Sequence, residues 1–278
     1  MKVLSHRIEG RGEPLVLLNG GLMTMASWDG IAQQLMESFT VIRCDFRGQL
    51  RSAGPPPPDL AGHAADLAAL LDHLGIQRSH LVGTSFGGEV GLLFAATHPE
   101  RTDSLLAATV TDLATAEFQG GATRMRQAFE RVAEGEDPGR LWDEVIPTFY
   151  SPAWLHLHST ELALRRNQFA ALPAEFFRGI AGLLSALDGL DLRPVLHRIA
   201  CPTLLVVAGD DRTMPPERPA AMAAAIPGAR LEIIEGAGHA LVVERPETFS
   251  SICLAFVRGV VQARPGGRAV SPGNSLNP

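Results

Sequence analysis

The chain has 278 residues, of which 46% are hydrophobic, so it is long enough to bury one large core. Its 30 acidic and 24 basic residues give a net charge of −6, which argues against a nucleic-acid partner because such partners need a basic surface. The first residues lack the apolar stretch of a signal peptide, and no window has the length and apolarity of a membrane span. We therefore expect a cytoplasmic protein whose partner is neither nucleic acid nor a membrane.

Short β-rich runs alternate with helical patterns in the first part of the chain. We predict strands over 14–19, 40–44, 80–84 and 103–109, and helices over 29–38, 59–74 and 86–98. Asp59 follows a Pro-rich connector and is placed to cap the second of these helices. This alternation predicts an α/β protein with a mostly parallel central sheet and helices on both faces.

The pattern changes between residues 113 and 197, where strands stop and helical segments follow one another with breaks at Gly and Pro. Strand-like runs resume at 202–208 and 229–234, and another helix is expected to start near residue 245. The stretch 263–278 is rich in Gly, Pro, Ser and Asn, so we expect a disordered tail there.

The most informative motif is Gly83-Thr84-Ser85-Phe86-Gly87, which stands between an apolar strand and a helix. In this setting the central serine of G-x-S-x-G occupies a strained turn that presents its hydroxyl. Glycines fit at positions 83 and 87 because a serine in the left-handed region brings the flanking backbone too close for side chains. The pattern also arises by chance, so an ordinary Gly-Ser turn stays an alternative until partner residues are found.

A nucleophilic serine needs a general base within hydrogen-bond reach. Among the nine histidines, His239 stands in a Gly-rich loop directly after a predicted strand, where α/β proteins place working side chains. The alternative is an ordinary surface histidine. His98 is expected at the end of a helix and His63 and His73 on a polar helix face, whereas the position of His239 after a strand makes it the candidate base.

The base in turn needs an acid that orients it, and the loop after 202–208 offers Asp210 and Asp211. We favour Asp211, which stands four residues before Pro215 at the expected start of the next helix. Asp210 is then expected to cap the turn. The resulting order of nucleophile, acid and base along the chain is the one expected of α/β-hydrolases.

An oxyanion hole needs two backbone NH groups that point at the developing negative charge. One is expected from Phe86, directly after the nucleophile. The other is expected from the loop Asn19-Gly20-Gly21-Leu22 after an early strand, with Gly21 as the favoured donor and Leu22 as the alternative.

On these residues the chain resembles the α/β-hydrolase superfamily, in its branch of esterases, lactonases and cofactor-free haloperoxidases. The resemblance covers residues 1 to about 262 and rests on five ordered blocks, namely 19–21, 45–52, 83–88, 209–215 and 238–239. Two positions depart from the family pattern, since Asn19 stands where histidine is common and Leu50 where glycine is common. The loops beside the oxyanion hole are therefore expected to differ locally.

The resemblance also implies a helical cap, inserted over 113–197 between the sixth and seventh strands of the sheet. The core would then comprise 1–112 and 198–262. The inner face of the cap is expected to shape the substrate pocket, and we name Tyr150 and Trp154 together with Leu22 as candidate substrate-binding residues. Aromatic side chains at helical spacing are also the ordinary core of such a cap.

These residues favour a serine hydrolase that cleaves small carboxylic esters or lactones through an acyl-enzyme on Ser85, with no cofactor and no metal. Perhydrolase or haloperoxidase-like chemistry is an alternative on the same triad. Carbon-carbon bond hydrolysis is a further alternative on the same triad. It is disfavoured because such enzymes usually carry Asn at position 84 and Trp at position 240, where this chain has Thr and Ala. A slow-turnover ligand-binding receptor and a homodimer both stay open.

The three cysteines, Cys44, Cys201 and Cys253, are widely spaced in apolar surroundings. An odd number without metal-ligand spacing predicts neither a disulfide framework nor a metal site. Cys44 directly precedes Asp45 and is an alternative nucleophile, but a buried strand cysteine is the favoured interpretation.

Overall fold

A seven-stranded sheet runs through the centre of the computed structural model, which describes residues 3–215 and 217–264. The strands are β1 His6–Gly10, β2 Glu13–Leu18, β3 Phe39–Cys44, β4 Ser79–Thr84, β5 Thr102–Ala108, β6 Thr203–Ala208 and β7 Arg230–Ile234. Their spatial order is β1-β3-β2-β4-β5-β6-β7, and all neighbours are parallel except β1, which pairs antiparallel with β3.

The order of the strands fixes where a site can form. From β2 the chain first moves to β3 on one side and then returns to β4 on the other, so the loops that leave β2 and β4 diverge. Ligands of open α/β sheets bind at such a reversal, beyond the carboxyl ends of the strands. The loop at residue 19 and the turn at residue 85 meet there.

Twelve α-helices accompany the described strands. They are α1 Asp29–Leu35, α2 Leu60–His73, α3 Phe86–Thr97, α4 Ala116–Ala133, α5 Pro138–Val145, α6 Pro152–Leu157, α7 Ser159–Ala170, α8 Ala174–Ser185, α9 Arg193–Leu196, α10 Arg218–Ala225, α11 Leu241–Glu244 and α12 Pro246–Ala263. In the described residues no helix is both long enough and apolar enough to cross a bilayer.

The sheet buries both of its faces. Along β2, Leu15 and Leu17 point to one apolar cluster with α1 and α12, whereas Val16 and Leu18 point to the other with α2, α3 and the inserted helices. Successive residues of a strand point to opposite faces, so a doubly covered strand must be apolar throughout. This is why the inner strands appear in the sequence as continuous Val, Leu and Ile runs.

The predicted fold class is confirmed, and the six predicted strands begin and end within one residue of those observed. Asp59 caps α2 as expected, since its side chain accepts a hydrogen bond of 2.8 Å from the Gly62 NH. The sequence reading missed β1, the short edge strand His6–Gly10. Its residues are mixed polar and apolar and only half buried, so the local pattern carries no strand signal, and pairing with β3 decides its conformation.

The inserted helices α4 to α9 lie between β5 and β6, the fifth and sixth described strands, and not between the sixth and seventh as expected. The division into core and cap at residues 112 and 197 stays a prediction. Helix α12 ends at Ala263, and the stretch 265–278, for which disorder was predicted, lies outside the described residues.

His63 was expected on a polar face of α2, and this expectation is wrong. Its side chain is completely buried, with ring centroids 4.9 Å from Phe86 and 5.6 Å from Phe46. Neither ring nitrogen has a hydrogen-bond partner among the described residues. The signal was present in the sequence, because His63 is spaced at helical intervals from Leu60, Leu67 and Leu70 and so shares their apolar stripe.

Burial, together with the charge of Arg47, lowers the pKa of His63 from 6.5 to about 4. Below pH 6.5 the unfolded chain therefore binds a proton that the folded chain does not, and stability falls as the pH drops towards 4. We predict that His63→Leu removes roughly 2 kcal/mol of the pH dependence between pH 7 and pH 4.5. Urea unfolding of the wild type and the variant between pH 7 and pH 4.5 measures it.

The matched control is His73→Leu, at an exposed position of the same helix, which should leave the pH dependence unchanged. An equal stability difference between wild type and His63→Leu at both pH values would contradict the assignment.

Candidate active site

The structure brings Ser85, His239 and Asp211 together in one chain of hydrogen bonds. Ser85 Oγ lies 3.1 Å from His239 Nε2, and His239 Nδ1 lies 2.9 Å from Asp211 Oδ2. The side chains of His239 and Asp211 are 9% and 7% exposed. The three residues come from the turns after β4, β6 and β7, whose carboxyl ends share one edge of the sheet.

Ser85 is held in a strained backbone conformation, with φ 49° and ψ −127°. Side chains on either side of it cannot be accommodated: a Cβ at Gly83 would stand 2.6 Å from the Gly87 carbonyl oxygen, and one at Gly87 would stand 2.4 Å from the Leu18 oxygen. The Ser85 NH donates to the Ala108 carbonyl at 2.8 Å, which fixes the turn to β5. The hydroxyl therefore projects from the end of the sheet at the start of α3.

Asp211 is the acid that reaches His239, whereas Asp210 is exposed. Its second oxygen, Oδ1, accepts the NH groups of Thr213 and Met214 at 2.8 and 3.1 Å. Pro215 does not begin a helix as expected, because α10 starts at Arg218. Instead, the loop folds back so that the NH groups of Thr213 and Met214 donate to the Asp211 carboxylate and fix its orientation.

The two partners stabilise each other's charged forms. Burial alone would raise the pKa of Asp211, but His239 and the two backbone NH groups outweigh it and lower the pKa. Burial alone would lower the pKa of His239, but Asp211 outweighs it and raises the pKa. The arrangement therefore favours the imidazolium form of His239, as a base that takes a proton from Ser85 would require.

Gly21 and Phe86, the expected oxyanion donors, line the same cavity as Ser85. Within the described residues neither backbone NH donates to another protein atom, and the same is true of Leu22, so the geometry keeps both Gly21 and Leu22 as the second donor. Phe86 is the first residue of α3, where free NH groups and the helix dipole favour negative charge.

Two buried amides, Asn19 and Gln49, hold the loop that carries Gly21. Asn19 Nδ2 donates to Asp45 Oδ1 at 3.1 Å and to Gln49 Oε1 at 3.0 Å. Gln49 Nε2 donates to the carbonyl oxygens of Gly20 at 2.8 Å and Gly21 at 3.2 Å. The departure of Asn19 from the family pattern thus belongs to a local amide network, and Gln49 is a supporting residue that sequence reasoning missed.

A cavity of about 910 Å³ opens over Ser85 and is lined mainly by apolar side chains. The core contributes the loop after β2, and the inserted helices contribute most of the remaining wall. The apolar lining from α4 and α8 comprises Phe118, Ala122, Met125, Phe176, Ile180, Leu183 and Leu184. A cavity of this size and character suits a drug-sized apolar ligand.

Leu22 and Tyr150 line this cavity, but Trp154 does not. The Trp154 ring is buried behind the wall, stacked on Tyr150 at 4.6 Å on one side and on His158 at 4.1 Å on the other. The expectation for Trp154 is therefore corrected: it packs behind Tyr150 in the interior of the inserted helices, which was the alternative stated for such aromatic residues.

Glu89 is a further buried acid near the triad that the sequence did not indicate. It lies one turn after Ser85 on α3, and its Oε1 accepts the Thr111 NH at 3.3 Å. Burial raises the pKa of Glu89 to about 7. A single acid on a helix is ordinarily solvent-exposed, so only the tertiary packing shows that this one is enclosed.

One group of potential metal ligands, Glu13, His80 and Asp103, lies at the other edge of the sheet. Arg264 lies 2.9 Å from Glu13 and 3.0 Å from Asp103, so its guanidinium neutralises both carboxylates. We assign the group to an ion-pair network.

Cys44, the alternative nucleophile, is buried. Burial raises the pKa of its thiol to about 12, which keeps the thiol protonated and disfavours it as a nucleophile.

The strand order, the strained serine and the three-residue hydrogen-bond chain define an α/β-hydrolase. The chain matches the α/β-hydrolase fold family over residues 13–246 and belongs to that family. It is an α/β-fold hydrolase whose likeness to known proteins extends over almost its full length.

Three relatives illustrate this likeness. The chain is 30% identical over 269 residues to "Putative carbamate hydrolase RutD" of Caulobacter sp. (strain K31), covering 92% of this chain and 96% of that protein. It is 30% identical over 255 residues to the pimeloyl-[acyl-carrier protein] methyl ester esterase of Aeromonas salmonicida (strain A449), covering 89% and 96%. The crystal structure of the enol-lactonase from Burkholderia xenovorans LB400 superposes with a TM-score of 0.80 at 27% identity, covering 92% and 96%.

The geometry at Asp211 predicts a large loss of activity for Asp211→Asn. We expect kcat for a p-nitrophenyl ester to fall by about 10⁴, because the amide no longer supports the required tautomer and charge of His239. Since Asp211 raises the pKa of His239, the rise of the residual activity with pH should also move to lower pH. Initial rates between pH 5 and 9 measure both effects.

Asp210→Asn is the matched control, because it makes the same change one residue away at an exposed position. It should retain activity within about threefold of the wild type. Equal losses of activity in the two variants would contradict the assignment of Asp211 as the acid that orients His239.

Proposed function

We propose that this protein is a serine hydrolase that cleaves carboxylic esters or lactones through an acyl-enzyme on Ser85. The observation that carries the proposal is the hydrogen-bond chain from Ser85 through His239 to Asp211 at the floor of an apolar cavity. The relatives named for methyl ester and enol-lactone hydrolysis support the same reaction class.

In the first half-reaction Ser85 Oγ attacks the carbonyl carbon while His239 Nε2 takes the hydroxyl proton. Asp211 accepts the hydrogen bond of His239 Nδ1 and stabilises the imidazolium. The NH group of Phe86, together with that of Gly21 or Leu22, stabilises the tetrahedral oxyanion, and each such donor is typically worth about 10² to 10³ in rate. His239 then protonates the leaving alkoxide, which departs as an alcohol, or stays attached when the substrate is a lactone.

In the second half-reaction water takes the place of the alcohol. His239 removes a proton from the water, the resulting hydroxide attacks the acyl carbon, and the Ser85 oxygen leaves with the proton from His239. The products are the carboxylic acid and the free enzyme. Hydrogen peroxide in place of water would give a peracid, which is the perhydrolase alternative.

The cavity favours substrates with a sizeable apolar group. Carbamate cleavage is a second candidate because of the relative named for it. However, a carbamate with no large substituent would leave most of a cavity of about 910 Å³ unfilled. Apolar contacts contribute about 25 cal/mol per Å² of buried surface, so a larger apolar group gains binding free energy here that a small polar substrate cannot.

The assignment of the nucleophile predicts the behaviour of Ser85→Ala. We expect turnover to fall by roughly 10⁴ to 10⁶, because the acyl-enzyme can no longer form. A fluorophosphonate probe should add to wild-type Ser85 and leave the variant unmodified, as measured by intact mass. Activity within tenfold of the wild type, or no labelling of folded wild-type protein, would refute the mechanism.

The cavity wall predicts a change in substrate preference at Phe176, whose neighbour Phe177 provides a matched control. Both rings are buried on α8, but only Phe176 lines the cavity. With p-nitrophenyl esters of increasing acyl length, a set of lactones and an aryl carbamate, we expect kcat/KM of the wild type to rise from acetyl to medium-length acyl groups.

Phe176→Ala should shift the preferred length by two or more carbons, while Phe177→Ala lowers the melting temperature and leaves the preference unchanged. If small carbamates are the best substrates and neither variant alters the preference, the ester assignment is wrong.

A further inference from the structure

The carboxylate of Glu244, five residues after His239, joins the catalytic loop to the inserted helices. Glu244 Oε1 accepts the NH of Gly238 at 3.0 Å and the NH of Ser151 at 2.8 Å, and Oε2 accepts the Ser151 hydroxyl at 2.6 Å. Glu244 is 5% exposed and Ser151 is fully buried. Hydrogen bonds to a buried carboxylate are stronger than those between neutral groups, so this junction is a firm one.

The segment 147–151, which we call the cap connector, also contacts the loops of His239 and Asp211 directly. The NH of Ala240 donates to the Phe149 carbonyl at 2.8 Å, and Arg212 Nη2 donates to the Tyr150 carbonyl at 3.0 Å. The Phe149 ring lies 5.5 Å from the His239 ring between centroids. The base and the acid of the triad are therefore both attached to the same five residues outside the sheet.

The fit between the His239 loop and the cap connector has no spare room. A Cβ added at Gly238 would stand 2.6 Å from Ser151 N and 2.7 Å from both Glu244 Oε1 and the Tyr150 carbonyl carbon. Glycine at 238 lets the loop approach this closely, and Glu244 satisfies the two NH groups that the approach buries. The same connector faces the substrate cavity through Thr148, Phe149 and Tyr150.

We propose that Glu244 is a positioning residue that sets the placement of His239 through the cap connector, so that the cap wall and the catalytic base move as one unit. The proposal rests on the proposed function, because the effect is read at the Ser85 nucleophile. Glu244 does not touch the reacting atoms. It acts by holding Gly238 and Ser151 to one another, which fixes the loop on which His239 stands.

The variants Glu244→Ala and Glu244→Gln separate positioning from simple stability. Alanine removes all three hydrogen bonds, whereas the glutamine amide can still accept both NH groups through its oxygen and donate to Ser151 Oγ through its nitrogen. We expect Glu244→Ala to lower kcat by roughly 10 to 100-fold with KM within threefold, because a misplaced base slows the chemical step. Glu244→Gln should recover to within about threefold of the wild type.

The rate of Ser85 labelling by a fluorophosphonate, expressed per folded molecule, should follow kcat in each variant. Ser151→Ala tests the junction from the cap side, and its loss should not add to that of Glu244→Ala in the double variant. The low-field proton resonance of His239 Nδ1 should weaken or shift in both single variants. Asp103→Ala, which removes a largely buried carboxylate at the opposite edge of the sheet, is the control for stability and should label at the wild-type rate.

The outcomes are distinguishable. If folded wild type fails to label, the proposed function is wrong. If wild type labels and Glu244→Ala labels equally fast with only a lower melting temperature, Glu244 is structural and the positioning role is overturned. Should Glu244→Ala fail to fold, Ser151→Ala decides: wild-type kcat and an unchanged His239 resonance in that variant would also overturn the proposal.

Discussion

The whole site depends on the turn at Ser85, where a non-glycine residue is kept in the left-handed region between β4 and α3. Such a conformation costs about 1 to 3 kcal/mol and persists only where surrounding structure fixes it. Here β4 is buried between β2 and β5, and the glycines at 83 and 87 let the backbones of the Ser85 turn and β2 meet. The packing of the sheet therefore offsets the cost of the strained conformation that presents the hydroxyl.

The parallel sheet also brings the remaining parts of the site close to Ser85. The loops after β2, β6 and β7 arrive at the same edge, so the Gly21 backbone, Asp211 and His239 converge although they are far apart in the chain. Polar groups then fix each loop: Gln49 holds the loop of Gly21, two backbone NH groups hold Asp211, and Glu244 holds the loop of His239. Each support is local, and each supplies partners to polar groups that are largely shielded from water.

The inserted helices are connected to this arrangement more closely than a simple lid would be. Their two ends are paired near residues 113 and 191, where Leu192 NH donates to the Asp112 carbonyl at 2.7 Å. Asp112 is itself buried and makes a two-pronged ion pair with Arg218 of α10. Together with the contacts at 147–151, this anchors the cavity wall to the core at separate places. The shape of the cavity over Ser85 and the placement of His239 and Asp211 are thus set by shared contacts.

The fold class, the strands with continuous apolar runs and the ordered motifs around Ser85, Asp211 and His239 could be predicted from the sequence. Those features are local: a buried strand must be apolar on both faces, and a strained serine turn needs its glycines at fixed positions. The edge strand β1, the burial of Glu89, the hydrogen bonds of Gln49 and Glu244, and the place of Trp154 behind the cavity wall are visible only in the folded chain. Each of these features depends on which distant segment packs against the residue. The spacing of residues along the chain does not contain that information. His63 lies between the two cases, since its helical spacing revealed the apolar stripe but only packing against Phe46 and Phe86 showed that a histidine is enclosed there.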